Sequence, residues 1–389
     1  MKTTNRTNRT ARTAAAGIVL AAASALLAAA PAQAATAHSA SHRAAGQSVV
    51  FVQTDNPSGN SVVAYDRSAD GALSQAGVYP TGGLGGVLDG SAVDHLASQH
   101  SLVYDQAHHL LYAVNAGSNT VSVFQVDGDH LTRTQVIGSG GEFPVSLAVH
   151  GDRVYVLNAL GSGSVQGFVR VGCNLVPVAD WHRSLGLTPV TGPMQFTHTP
   201  AQVSFTPDGS ALVVTTKANG NSIDVFPFDR HGVPSATPVM NVEPNAVPFG
   251  FVFDSAGRLV VAEAGPDAVA TFTLARDGKV TQVGSVATGQ TATCWIVRDG
   301  RRYYASNAGS GSLSGFHESH DGMLTALGNT MTGAGTTDAT VTPDGHYLYV
   351  QTGAAGVVDG FRVHGDGSLT PVGSVTVPGG IGGEGIVAV

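Results

Sequence analysis

The chain reads as an all-β protein, a seven-bladed β-propeller whose ring is closed by a C-terminal strand completing the N-terminal blade. Three observations predict it. A strand-loop-strand phrase ending on an aromatic residue comes back seven times, at Tyr65, Phe124, Phe168, Phe226, Phe272, Phe316 and Phe361. Where no insertion intervenes, the phrase recurs at about 44 to 46 residues, the spacing of four-stranded blades. The third observation is a mismatch at the ends: the first strand lacks an inner neighbour, while the last segment looks like an inner strand with nothing after it.

Taken in order, Lys2, Arg6, Arg9 and Arg12 precede an apolar run from about Ala14 to Ala30, and Ala32-Gln33-Ala34 supplies a small-x-small cleavage pattern. Residues 1–34 are therefore expected to be a signal peptide, 35–47 a flexible N-terminal arm and 48–389 the propeller. The apolar run is shorter than the roughly 20 residues a spanning helix needs. A secreted, extracellular protein with no membrane partner is expected. Cleavage after Ala34 removes four positive charges and no negative ones, taking the net charge from -8 to -12. That balance excludes a basic footprint for nucleic acid or anionic lipid. Beyond residue 34 only Lys217 and Lys279 remain as lysines.

The clearest blade phrase runs from Leu111 to Phe124: a period-2 apolar run, a polar Gly-containing turn and a second alternating run. Each unit divides into strands A to D. Val203-Ser204-Phe205 reads as a strand A, turned by Thr206-Pro207-Asp208-Gly209 into strand B at Leu212-Val213-Val214. Thr342-Pro343-Asp344-Gly345 marks the same turn elsewhere, since Pro presets φ and Gly accepts a positive φ. The aromatic is expected to close strand C, and turns such as Asp321-Gly322 and Asp366-Gly367 lead into strand D. At the start, Val49-Val50-Phe51-Val52 reads as a strand B without a strand A. The tail Glu384-Gly385-Ile386-Val387-Ala388-Val389 supplies the missing inner strand and removes an open edge.

Two stretches break the period, one within Tyr79 to His100 and one within Asp180 to Pro200. Both join a strand D to the next strand A, on the face that also carries the B-to-C loops. Long loops in compact domains often carry function, with tolerated surface insertion as the competing reading. Cys173 and Cys294 fall on an outer and an inner strand of different blades, beyond the roughly 7 Å Cα limit for a disulfide, so two free thiols are expected.

The phrase Tyr112-Ala113-Val114-Asn115-Ala116-Gly117-Ser118-Asn119-Thr120-Val121-Ser122-Val123-Phe124 resembles YVTN-type propeller repeats. With its Thr-Pro-Asp-Gly and Asp-Gly turns, Val49 to Val389 is similar to the lactonase-type seven-bladed propellers, which include 6-phosphogluconolactonases and carboxymuconate-cyclising enzymes. That resemblance implies a His at an inner-strand entrance, a Glu at another and an Arg in an Asn-Arg-Gly loop. Here His100 precedes Ser101-Leu102-Val103, the loop reads Asn307-Ala308-Gly309, and the strand before it starts Ala292-Thr293-Cys294-Trp295 with no Glu. Missing one electrostatic partner of an oxyanion typically costs about 10²- to 10³-fold in rate. The departures point away from a phosphosugar.

The expected function is a lactonase-like hydrolase or isomerase acting on a small non-phosphorylated lactone or carboxylate at the channel mouth. His100 or His198 would transfer protons and Lys217 would hold an anion, with Glu263, Asn307, Asp338 and Glu384 as substrate-binding groups. A non-catalytic extracellular propeller that holds a protein or glycan on the same face is the alternative. A monomer is expected. Among the 15 histidines only His38 and His42, in the N-terminal arm, stand at His-x-x-x-His spacing, and no metal or cofactor is expected. A cross-blade metal site of His100, His198, Asp338 and Glu384, joined by Asp94 and His95, is the weaker reading. The Gly-rich strings at 82–86 and 379–383 open no helix and fit no phosphate loop, and no Ser/His/Asp triad is legible.

Overall fold

The computed structural model describes residues 48–389, so the expected signal peptide and arm lie outside the described residues. Among the described residues the strands form seven sheets of four antiparallel strands each. Blade 1 sets the inner strand Ile386–Ala388 against Val49–Gln53, followed outward by Ser61–Arg67 and Leu73–Pro80. Phe51 pairs with Val387. Val389 N–H donates to Val49 O at 2.8 Å and Val49 N–H to Val389 O at 3.0 Å, so the tail closes the ring as the sequence predicts. Blades 2 to 7 follow in chain order over 102–138, 144–184, 202–242, 248–287, 293–331 and 336–376.

The seven repeated aromatics are all at most 2% exposed. They do not close strand C, which runs on past each of them. In six blades the pairing of strands C and D shifts register at Tyr65, Phe124, Phe168, Phe272, Phe316 and Phe361. A bulge there bends and twists the blade and lets a large ring fill the wedge between neighbours. Replacing such a ring by Ala costs about 3–5 kcal/mol. Between blades, alternate residues interdigitate: Val213, Ile223 and Val225 of blade 4 meet Phe251, Leu259 and Val261 of blade 5.

A second repeated device sits at the entrance of the inner strands. His100, Phe143, Val247 and Ala292 hold φ of 70°, 60°, 49° and 57°, matched by Gly335 at 72° and Gly385 at 94°. Each stands one or two positions before an inner strand. Their carbonyls catch the B-to-C corner: Ala159 N–H donates to Phe143 O at 2.9 Å, Ala264 N–H to Val247 O at 3.1 Å and Ala308 N–H to Ala292 O at 2.9 Å. A left-handed non-Gly residue costs roughly 1–3 kcal/mol and persists only where its surroundings over-determine it. The device fixes the corners that surround the axis. Among the described residues, no helix is long and apolar enough to cross a membrane. Cys173 and Cys294 are both free thiols, as expected.

Candidate functional site

Both insertions fold onto the face of the B-to-C corners. The first begins by docking on blades 1 and 2, where Gly85 N–H donates to Asn56 O at 3.0 Å and Gly117 N–H to Leu84 O at 3.1 Å. A Cβ on Gly85 would lie 2.0 Å from Asp55 O, so glycine is required for this close approach. The chain then reaches the C-terminal loop, with His95 N–H on Gly382 O at 2.7 Å. Residues 97–100 next descend among the inner strands. Ser98 Oγ donates to Val145 O of blade 3 at 2.7 Å. Gln99 N–H donates to Ala201 O beside blade 4 at 3.1 Å. The Gln99 amide exchanges two bonds with Ile296 of blade 6, at 2.8 and 3.1 Å. Trp295 Nε1–H donates to Ser98 O. A tetrapeptide bonded to inner strands on opposite sides of the ring must occupy the axial opening, and it fills it.

The second insertion meets the first above that opening. Asp89 N–H donates to Gln195 Oε1 at 2.8 Å, and Gly192 N–H donates to Asp89 Oδ2 at 3.2 Å. Between the joined insertions and the corners of blades 4, 5 and 6 lies a cleft of about 610 Å³. Its walls are Val93, Met194, Phe196, Val247, Phe249 and Trp295, with Ala264, Ala292 and Ala308. Four side chains there are ionisable: Asp94, His198, Lys217 and Cys294.

Lys217 is only 1% exposed and has φ 49°. Its Nζ donates to Ala97 O and Phe196 O, each at 2.6 Å, and lies 5.2 Å from the Phe249 ring centre. One residue of each insertion is thus held by a single ammonium, which keeps a third N–H for another partner. Burial draws its pKa down to about 8, against the opposing pull of Asp94 and Glu384. Asp94, 7% exposed, is pushed up to about 6 by burial, with the Lys217 charge and a 3.0 Å bond from Ser91 Oγ acting the other way. His198 sits half-buried at the mouth, Nδ1 2.8 Å from Thr197 Oγ1 and 2.9 Å from Met194 O. Burial raises the Cys294 thiol, which is therefore neutral.

The remaining predicted residues lie elsewhere. His100 is walled off by protein, although its ring keeps some accessible surface beside the axis; burial lowers its pKa to about 4, leaving a neutral imidazole. Its Nδ1 stands 3.2 Å from the Gln202 amide, which braces Phe251 through bonds of 2.9 and 2.7 Å. Glu384 belongs to the plug: one carboxyl oxygen accepts the Ser98 N–H at 3.3 Å, and the other shares a hydrogen bond with the Ser98 hydroxyl oxygen, whose own proton goes to Val145 O. Its own N–H donates to Asp55 Oδ2 at 2.8 Å. Asp338 accepts the Ala339 N–H at 3.0 Å. Burial pushes Asp338 up to about 7, with the Asp55 charge adding to it, and pushes Glu384 well above its usual range, with repulsion from Asp55, Asp94 and Asp338 behind it. Asp55 rises to about 7 through burial alone, against its hydrogen bonds. Glu263 ends strand B of blade 5 and is raised to about 7 by burial, with Glu243 adding to it. Asn307 is a corner brace, donating to Ser314 Oγ at 2.9 Å and accepting from Thr293 Oγ1 at 2.7 Å. Among the described residues no three His, Cys, Asp or Glu side chains are grouped to hold a metal ion.

Of the seven predicted site residues, Lys217 and His198 line the cleft. Asp94 joins them, named in the sequence only as a weak metal ligand. Phe196, Phe249, Ser98 and Asp55 carry no functional signal in the sequence, and Trp295 stands there only as part of an inner strand. Trp295 and Phe249 were legible in one respect, since each follows an inner-strand entrance and inner strands face the axis. Ala308, Ala292 and Cys294, where the resemblance calls for Arg and Glu, form cleft wall.

Comparison with known proteins fits this architecture. A family model described as a lactonase, seven-bladed β-propeller, matches residues 262–383. A candidate 6-phosphogluconolactonase of Bacteroides fragilis superposes with a TM-score of 0.69 at 21% identity, covering 88% of this chain and 97% of that one. The periplasmic gluconolactonase of Pseudomonas aeruginosa gives 0.70 at 17% identity, over 88% and 98% of the two chains. Virginiamycin B lyase of Staphylococcus aureus is more distant, with 0.53 at 13% identity over 74% and 88%. None of the curated proteins matches the sequence. The resemblance to lactonase-type propellers read from the repeats is borne out, and at these identities the likeness is one of fold.

Proposed function

We propose that the chain is an exported lactonase-like hydrolase whose site is the off-axis cleft at blades 4 to 6, acting on a small non-phosphorylated lactone. One observation carries this: two buried groups of opposite charge, Asp94 and Lys217, face one largely apolar cleft, with pKa values of about 6 and 8 on either side of neutrality. Such divided pairs suit acid–base work near pH 7. In the step proposed, the Asp94 carboxylate takes a proton from water as the water oxygen bonds to the acyl carbon. The third N–H of the Lys217 ammonium stabilises the oxyanion. The ring C–O bond then breaks, its electron pair stays on the ring oxygen, and that oxygen takes the proton. His198 at the mouth is the route by which the product carboxylic acid loses its proton to solvent.

A lone ammonium without a guanidinium cluster favours a non-phosphorylated substrate. The family match and the name of the Pseudomonas protein support lactone chemistry and an exported setting. One observation favours the non-catalytic reading: the two 2.6 Å bonds of Lys217 would also serve a purely structural staple. Turnover of a lactone panel by the purified protein, Lys217→Met and Asp94→Asn decides between them. The hydrolase reading expects kcat to fall about 10²- to 10³-fold in each variant. Equal turnover by all three folded proteins, or none by any, overturns it.

A further inference from the structure

We propose that the cleft selects a lactone carrying an alkyl or aryl substituent, its carbonyl turned to Lys217 and its substituent laid between Phe249, Trp295 and Val247. The headgroup rests on the hydrolase reading; the substituent rests on the walls. At about 610 Å³ the cleft lies inside the range of about 300–1,000 Å³ typical of small-molecule sites, with room beyond a bare lactone ring. Three of its four ionisable side chains are inward at one end or engaged: Lys217 and Asp94 are buried, and Cys294 is a neutral thiol 9% exposed. The rest of the lining is hydrocarbon and aromatic ring, apart from His198 at the mouth and Thr197, whose hydroxyl is already spent on Met194 O. A polyol would have to bury hydroxyls there without partners, whereas a hydrocarbon substituent would not.

Two further features show that these walls are built rather than incidental. Phe249 and Trp295 pack with ring centres 4.8 Å apart, and Trp295 is locked by its Nε1–H on Ser98 O. Val247 and Ala292, also in the wall, hold left-handed backbones at φ 49° and 57°. For a β-branched residue such a φ is a genuine outlier. Here it is enforced by the Asn221 side chain, whose Oδ1 accepts the Val247 N–H at 3.1 Å. The wall keeps its shape before a ligand arrives, which lowers the ordering cost of binding.

The test is calorimetric titration of the intact protein with γ-lactones whose alkyl chain grows from methyl to octyl, with glucono-δ-lactone as the polyol. Turnover of each compound is followed separately. Affinity should rise about fourfold per added methylene until the cleft is full. It should fall at least about tenfold for the longer chains in Ala308→Leu and in Ala264→Leu, two fillings on separate walls. Binding that is flat along the series, or tighter for glucono-δ-lactone, overturns the inference, as does an unchanged series in both folded variants. Chain-length-dependent binding without hydrolysis upholds the cleft's selectivity and overturns only the hydrolase reading. Hydrolysis without chain-length dependence does the reverse.

Discussion

The two sides of the upper face bury ionisable groups in opposite ways. Beside blades 1 and 7, Asp55, Asp338 and Glu384 crowd together with no ion pair among the described residues, the Lys217 charge reaching Glu384 only from the neighbouring cleft, and each carboxyl is raised above its usual range. Their hydrogen bonds come from backbone N–H groups, the Gln53 amide and Ser98 of the axial segment. Beside blades 4 to 6, one carboxyl and one ammonium face an open apolar volume. The same insertion serves both, sending Ser98 one way and Asp94 the other. Buried charge alone therefore does not mark a site. A complementary partner and room for a third molecule do.

The contrast can be broken most forcefully at the ring closure. Deleting residues 384–389 removes the inner strand of blade 1 together with the carboxylate that grips Ser98. The expected outcome is loss of a cooperative thermal transition, read by far-UV circular dichroism; an unchanged melt would show that the closed side is dispensable. Next in size, Ser98→Ala leaves a buried Glu384 oxygen unpaired and should cost about 1–3 kcal/mol in urea unfolding. Ala308→Leu on the open side should stay within about 0.5 kcal/mol, because its new methyls enter empty cleft. Equal losses for the two would erase the distinction.

Smaller effects follow from pH. If Asp94 must be ionised and Lys217 protonated, kcat/KM rises through about pH 6 and falls through about pH 8. Asp338→Asn, on the closed side, should leave that bell in place. Stability behaves differently. Asp55 and Asp338 hold their protons more tightly folded, with pKa near 7 against an ordinary 3.8. Their stabilisation is complete below about pH 4 and is lost as pH rises through about 7. His100, lowered from 6.5 to about 4, works in the other direction as pH falls from 6.5 to about 4, but it is one group against several carboxyls. The melting temperature should be higher at pH 5.5 than at pH 8 by at least about 3 °C, with a shallower slope in Asp338→Asn. A higher value at pH 8 would mean that the cluster is ionised and paired.

The ring was legible because its determinants are local and repeated. Alternation at Leu111 to Val114, the Thr-Pro-Asp-Gly turns and the aromatic of each strand C are short-range signals, reinforced by recurrence. The site was legible only in part. Lys217 stood out because it replaces an Asn at a repeated corner, and His198 because it lies in an insertion. His100, at an equally conspicuous position, turned out to be enclosed against Gln202. The bulges at the aromatics were hidden, since the extra residue lies on strand D, a mostly exposed strand such as Leu73–Pro80 with little apolar alternation for the slip to interrupt.

From the residues alone came the number of blades, the closing of the ring by its tail, the free state of the two thiols and the face on which the insertions lie. These depend on periodicity and on which elements can pair, properties that each segment carries within itself. Only the tertiary structure decided that residues 97–100 fill the axis, that the two insertions join at Asp89 and Gln195, and that Asp94 and Lys217 line one cleft. Irregular loops have no repeating pattern, and their paths are set by distant partners: a carbonyl 120 positions away for Lys217, an amide 197 away for Gln99. The chemistry of the cleft was written in contacts between segments, and such contacts exist only once the chain has closed.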